Sequence, residues 1–371
     1  MIGRVSRFER WPVKITRTTP RCLAAGLVCG ALLAVCTAGH GAAPFSPAVS
    51  GTGGSSATRV LAQWNDAFAR QSRIQVSFAP ANSDVGIRAM IERSADFAST
   101  EIPLSPEDLN RHDLVQFPLL IGGVVPIVNI PGVAPGRLRL TSSLLARIFL
   151  GEITSWGDDD IRASNPGLNL PKLPIRLVVR QTAASTTLAL TTFLARTDRN
   201  WATRIGPNKL PAWPAPTLPV ATVMAMGEKV ATTPGAIGYL NFDEAYRNRY
   251  STVQLRNKSG QFVAASREAI QKASVTAGLG KTGDHVPELI DVAGEGTWPI
   301  VEVTYVLLER YPKSQERARS TLKFFYWAFL MGDQMASDTG FVPLSSTSQA
   351  RIVSRFRNVQ GSDRRPIDFL G

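Results

Sequence analysis

The stretch from Val115 to Val133 carries no charged residue. A run of that length forces a choice between lipid and a large buried core. Pro118, Pro126 and Pro131, with Gly122, Gly123 and Gly132 among them, decide against lipid. Each proline deletes a helical hydrogen bond that a bilayer has no water to replace. The stretch therefore predicts buried strands, one of them crossing between two lobes. At 371 residues, 44% hydrophobic and 19% charged, the chain has enough apolar material for both.

A second stretch predicts what those lobes present. Pro174 to Val179 alternates and then runs apolar as a strand does, and Leu190, Phe193 and Leu194 have the spacing of a helix face. Arg180 then ends a strand, while Ser185 and Thr186 lie at a helix start. Free amides, the positive end of a helix dipole, hydroxyls and a permanent cation together make an anion cradle. A strand–turn–helix with one arginine is also a common structural unit.

The same order recurs upstream. Ala42 to Gly54 reads as a mobile lead-in to a first strand, and Gly51 to Ser56 opens a helix with Val60, Leu61, Trp64 and Phe68 on one side. The glycines there serve either a plain turn and cap or the close approach of a ligand. Ile74, Val76 and Phe78 alternate as a strand; Asn82-Ser83-Asp84 caps a helix that buries Ile87, Met90 and Ile91; and Asp96 to Glu101 is a short strand ending on a carboxylate. Thr141 starts a helix that ends at Gly151, and Asp158-Asp159-Asp160 caps the next. The class is α/β, with helix starts gathered along one sheet edge, and ligands bind beyond the strand ends there.

The first residues read as a secretory leader. Six basic residues and one acid precede or flank an apolar run from Cys22 to Cys36, too short for a membrane anchor, and small residues follow. Cleavage is expected near Ala38, with a lipoprotein site at Cys36 as the lesser alternative. Removing residues 1–38 lowers the formal charge from +12 to +7 and takes all three cysteines away, so the mature chain would have no disulfide or thiolate metal site. No basic block is interleaved with aromatics afterwards, which argues against nucleic acid. His40, His112 and His285 lie in unlike contexts with no metal or base spacing. No cofactor and no metal site is expected.

Leu145 to Trp156, Asn165-Pro166-Gly167 and Arg180 to Thr187 resemble the phosphate-binding proteins of the Pst ABC importer. The likeness continues at Asp96-Phe97-Ala98, Gln116-Phe117-Pro118, Val128 to Gly132, Pro234 to Tyr239 and Trp298-Pro299-Ile300, and covers nearly all of residues 50–345. The resemblance implies the two-lobed type II periplasmic-binding-protein fold, each lobe an α/β sandwich with the ligand cleft between them. Lobe 1 would be residues 45–128 plus 243–371, and lobe 2 residues 129–242. It further implies phosphate held by Ser55, Ser56, Ser83, Glu101, Arg180, Ala184, Ser185 and Thr186. A monomeric, periplasmic protein would deliver it to an ABC permease in the inner membrane.

The sequence departs from that pattern in places. The family's Asp-Gly-Ser-Gly-Thr after the arginine is here Thr182-Ala183-Ala184-Ser185-Thr186, the expected Asp is Glu101, and Asn82 to Gly86 replaces a Gly-Ser-Ser-Gly-Gly run. Two other classes therefore stand beside import. One is a sensor or secreted binding protein with an altered cleft. The other is a phosphatase-like enzyme using Ser55, Ser83 or Ser185, for which no partner base is evident.

Overall fold

Most of the charge-free stretch folds as one strand, Leu114–Val128, 15 residues long and buried almost throughout, and Pro131 and Gly132 beyond it lie in an exposed turn. The computed structural model describes residues 46–281 and 286–370, so the leader, its cysteines, His40 and His285 lie outside the described residues. Before the long strand come β1 (Ser46–Gly54), α1 (Thr58–Ser72), β2 (Ile74–Ala81), α2 (Ser83–Ile91), β3 (Phe97–Thr100) and α3 (Pro106–Arg111). The long strand itself is β4. It is followed by β5 (Arg139–Leu140), α4 (Ser142–Phe149), α5 (Asp159–Ala163), β6 (Arg176–Arg180), α6 (Ser185–Thr197), α7 (Arg199–Arg204), β7 (Thr217–Val220), α8 (Val223–Thr232) and β8 (Ala236–Asn241). Then come α9 (Phe242–Asn248), β9 (Gln254–Arg256), β10 (Phe262–Ala264), α10 (Arg267–Thr276), β11 (Val301–Glu309) and α11 (Gln315–Met331).

Eight strands form one sheet in the order β2-β1-β3-β11-β4-β8-β6-β7, and β10-β9-β5 form a small second sheet. β4 belongs to both halves of the large sheet. Its first part pairs antiparallel with β11, from Leu114 opposite Glu309 to Gly123 opposite Val301, and its last part pairs antiparallel with β8, from Val124 opposite Asn241 to Val128 opposite Ile237. β1 runs parallel to β2 and β3, and β6 runs parallel to β7 and β8. The carboxyl ends of β1, β2 and β3 on one side, and of β6 and β8 on the other, therefore converge on the middle of β4. More than one buried strand was expected from this stretch. Instead the register shifts where Pro118 and Leu120 face Tyr305 and Thr304, a bulge that absorbs the missing donor.

Two ring clusters fill the cores on either side. Phe97 and Phe117 meet Phe325 of α11 edge-on at 5.1 and 5.5 Å, while Phe149, Trp213 and Tyr239 pack together at 5.6 to 6.2 Å. Buried tryptophans need a partner for the indole N–H. Trp64 donates to the Gly332 carbonyl at 3.0 Å, Trp156 to Gly235 at 3.0 Å and Trp298 to Val124 at 3.1 Å.

Asn82, Thr141 and Asp158 cap α2, α4 and α5 as expected, accepting from Val85, Leu144 and Asp160 N–H groups. Two local expectations fail. Gly51 to Gly54 is neither a turn nor a mobile lead-in but part of β1, flanked by β2 and β3. A central ladder supplies the hydrogen bonds that offset glycine's low strand preference, and a Cβ at Gly51 would strike the Phe97 ring at 2.1 Å. On α2 the inward residues are Ser83, Gly86, Ala89 and Met90, whereas Ile91 is exposed. The helix is turned so that Gly86 lies against Gly53, where a Cβ would come within 2.8 Å of the Gly53 Cα.

Candidate functional site

Four loops meet at the edge where the strand ends converge, those after β1, β2, β3 and β6. Ser56, in the 3-10 turn Ser55–Ala57 that leads from β1 into α1, donates its hydroxyl to Glu101, the residue after β3. Ser83, the first residue of α2, donates to the other Glu101 oxygen at 2.7 Å and accepts the Glu101 amide at 3.1 Å. Two helix starts thus grip one carboxylate. Gly54 makes room for it, since a Cβ there would lie 2.3 Å from a Glu101 oxygen. Ser55 is exposed, and its carbonyl accepts from Thr58 Oγ1 at 2.7 Å.

The fourth loop supplies the start of α6. Its cap residue is Ala184, whose side chain cannot accept, so no side chain caps the first amides. The Ala184 amide itself is spent on the Lys209 carbonyl at 3.0 Å. The next amides belong to Ser185 and to Thr186, which is 3% exposed. Arg180 closes β6 beside them. Its Nη2 donates to the Ala221 carbonyl at 2.8 Å and to Thr182 Oγ1 at 3.2 Å, while Nε is buried without a partner among the described residues. Burial lowers the pKa of this guanidinium, opposed in part by Tyr239. A half-buried cation with a spare donor is stabilised by an anion.

The sequence did not single out Glu302. It stands near the start of β11 opposite Gly122 of β4, next to the point where Val124 meets Asn241. It is 8% exposed, accepts from Asn241 Nδ2 at 3.0 Å and is hydrogen-bonded to Ser185. Burial pushes its carboxyl up to about 8, with the Glu101 charge raising it further and the Ser185 and Asn241 hydrogen bonds lowering it. A neighbouring acid on α9, Asp243, is pushed up to about 7 by burial, against the pull of Arg247. The signal was a charge flanked by Val301 and Val303 near the start of a strand whose two faces are both buried. Ser56, Ser83 and Glu101 thus form one hydrogen-bonded group, Ser185, Glu302 and Asn241 a second, and the two acids couple them. No group of three or more histidine, cysteine, aspartate or glutamate side chains arranged to hold a metal occurs among the described residues.

Residues 38–330 match the family model described as a PBP superfamily domain. The phosphate-binding protein PstS of Haemophilus influenzae is 32% identical over 327 residues, 85% of this chain and 95% of that protein. This chain belongs to the PstS family. A second member, from Xylella fastidiosa strain Temecula1, is 33% identical over 301 residues, 80% of this chain and 81% of its own. Solved structures of phosphate-binding proteins share the fold. A phosphate-binding protein from Stenotrophomonas maltophilia aligns with a TM-score of 0.62 at 19% identity, over 86% of this chain and 97% of its own. A high-affinity periplasmic phosphate-binding protein with phosphate bound aligns at 0.65 and 17% identity, over 84% of this chain and 94% of its own. The architecture is therefore the two-lobed PBP fold, as the resemblance implied, with Glu302 set into its sheet.

Proposed function

We propose that the chain is an exported substrate-binding protein that captures inorganic phosphate for an ABC importer. The reading is supported by helix starts from both halves of the sheet, with Ser56 and Ser83 holding Glu101, Ser185 hydrogen-bonded to Glu302, and Arg180 closing the strand that leads into α6. The Ser185 and Thr186 amides and the Arg180 fork are donors an oxyanion needs when it leaves water, and the Ser56 and Ser83 hydroxyls, which donate to Glu101 in the free chain, turn to the ligand on binding. Glu101 accepts the proton that phosphate carries, whereas sulfate would meet it with lone pairs. Ser55 and Ala184 complete the proposed ligand set through their backbone positions.

In this reading the lobes are residues 45–128 plus 243–371 and residues 129–242, hinged where β4 leaves one half and β8 enters α9. Phosphate binds one lobe and the other swings over it. The Lys209 ion pair with Asp84 and the Arg196 ion pair with Glu288 span those proposed lobes. Both are partly exposed, so each contributes at most about 1 kcal/mol. Asp84→Ala is expected to weaken phosphate binding by no more than ~5-fold, through faster release, in stopped-flow fluorescence. Gly54→Ala is expected to do more, because its Cβ pushes Glu101 off Ser56 and Ser83. We expect about 10-fold weaker binding and a nearly unchanged melting temperature, the loss of one charged hydrogen bond.

Residues 1–38 are assigned as the leader, with release into the periplasm. No helix among the described residues is long and apolar enough to cross a membrane. The reading includes no catalytic step. Glu302 of β11, hydrogen-bonded to Ser185 of α6, favours a second reading, a cleft altered for another small oxyanion. Titration calorimetry with phosphate, arsenate and sulfate tests the choice. Heat with phosphate and arsenate but not sulfate supports capture of phosphate, and no heat with any of them overturns it.

A further inference from the structure

The start of α6 is where the proposed ligand must take its amide donors, and Ser185 there is already hydrogen-bonded to Glu302. Glu101, which Ser56 and Ser83 hold, follows the end of β3 beside β11, close enough for its charge to act on Glu302. An anion bound there meets two acids. Two carboxylates and an oxyanion repel one another in a dry crevice unless protons lie between them. A ligand with two acidic hydroxyl groups removes the conflict, giving one proton to each acid. An anion with a single hydroxyl satisfies Glu101 and leaves Glu302 opposed.

Resting on the phosphate reading, we propose that Glu302 is a specificity-determining residue which, with Glu101, restricts the cleft to monobasic, doubly hydroxylated oxyanions such as dihydrogen phosphate, so that the complex holds one more proton than a cleft with Glu101 alone.

The surroundings of Glu302 leave that proton no other substitute. Asp243 on α9 is a further acid that raises the cost of charge on Glu302. β4 presents Gly122 and Gly123, and α6 presents Ser185. Arg247 lies 3.8 Å from Asp243 and is also paired with Glu244, and Lys209 is paired with Asp84, which leaves Arg180 as the cation for the ligand itself. Among the described residues, neither Glu101 nor Glu302 has an ion-pair partner within 4.0 Å. The hydrogen bond from Asn241 fixes the carboxyl in place, and its burial shifts its titration toward the proton-bound form.

The test is the phosphate dissociation constant of the mature chain by calorimetry from pH 6 to 9.5, in buffers of differing ionisation enthalpy, for wild type and Glu302→Gln. Glutamine keeps the shape and stays neutral. The two proteins are expected to bind alike at pH 6. Above about pH 8 the wild type should weaken ~10-fold per pH unit faster than the variant, and take up a proton at pH 9 that the variant does not. Glu302→Ser serves if the glutamine variant does not fold. Parallel profiles for wild type and both Glu302 variants would overturn the inference while leaving phosphate capture intact. No phosphate heat from the wild type at pH 6 would instead overturn the reading beneath it.

Discussion

Arg180→Ala is expected to weaken phosphate binding at least ~100-fold, measured by calorimetry at pH 7. A charged hydrogen bond contributes about 1.5–3 kcal/mol, and the guanidinium fork offers two. Lys209, another cation near the start of α6, is spent on Asp84. The fold should barely notice the change. Arg180 donates only to the Ala221 carbonyl and Thr182 Oγ1, and burial already works against its charge. The melting temperature should stay within about 2 °C, and Arg180→Lys should restore charge but not the fork, recovering roughly 10-fold of the affinity. Wild-type affinity in the alanine variant would move the grip away from β6.

The second large effect is on stability against pH. Glu302 and Asp243 both hold their protons more tightly when folded, near 8 and 7 against ordinary values of 4.5 and 3.8. The folded chain therefore binds more protons than the unfolded one between those limits. Stability from these groups is complete below about pH 4 and is lost as pH rises through 7 and then 8. Melting temperature should fall between pH 5 and pH 9, with Glu302 accounting for on the order of 2–4 kcal/mol of the loss. Glu302→Gln should leave the value at pH 5 nearly unchanged and raise it at pH 9 by about 5 °C or more. A variant that tracks the wild type across the range would place the titration elsewhere.

Much of this architecture was legible because it rests on patterns that physics enforces locally. The charge-free run had to be buried, and it became the strand shared by both halves of the sheet. Asn82, Thr141 and Asp158 cap helices because a short side-chain oxygen reaches an orphan amide. Ser56, Ser83 and Glu101 were named from three separate stretches and meet through hydrogen bonds.

What was not legible depended on contacts between distant segments. Gly51 to Gly54 reads as a turn until β2 and β3 flank it. The inward face of α2 follows from Gly86 resting on Gly53, which no local periodicity contains. Glu302 hides between apolar neighbours that dominate the reading of β11 as an ordinary core strand. Its role emerges only when antiparallel pairing brings the start of β11 beside the end of β3, and β8 brings Asn241 to it. Arg180 was placed at the right strand end, yet its present partners are the Ala221 carbonyl and Thr182.

A crystal structure of the mature chain grown with phosphate tests the central claim most directly. The account predicts the anion at the start of α6, within about 3 Å of the Arg180 guanidinium, the Ser56 and Ser83 hydroxyls and the Thr186 amide, with one oxygen against Glu101. Phosphate bound elsewhere, or Arg180 still turned to Ala221 with the anion touching neither it nor α6, would contradict it.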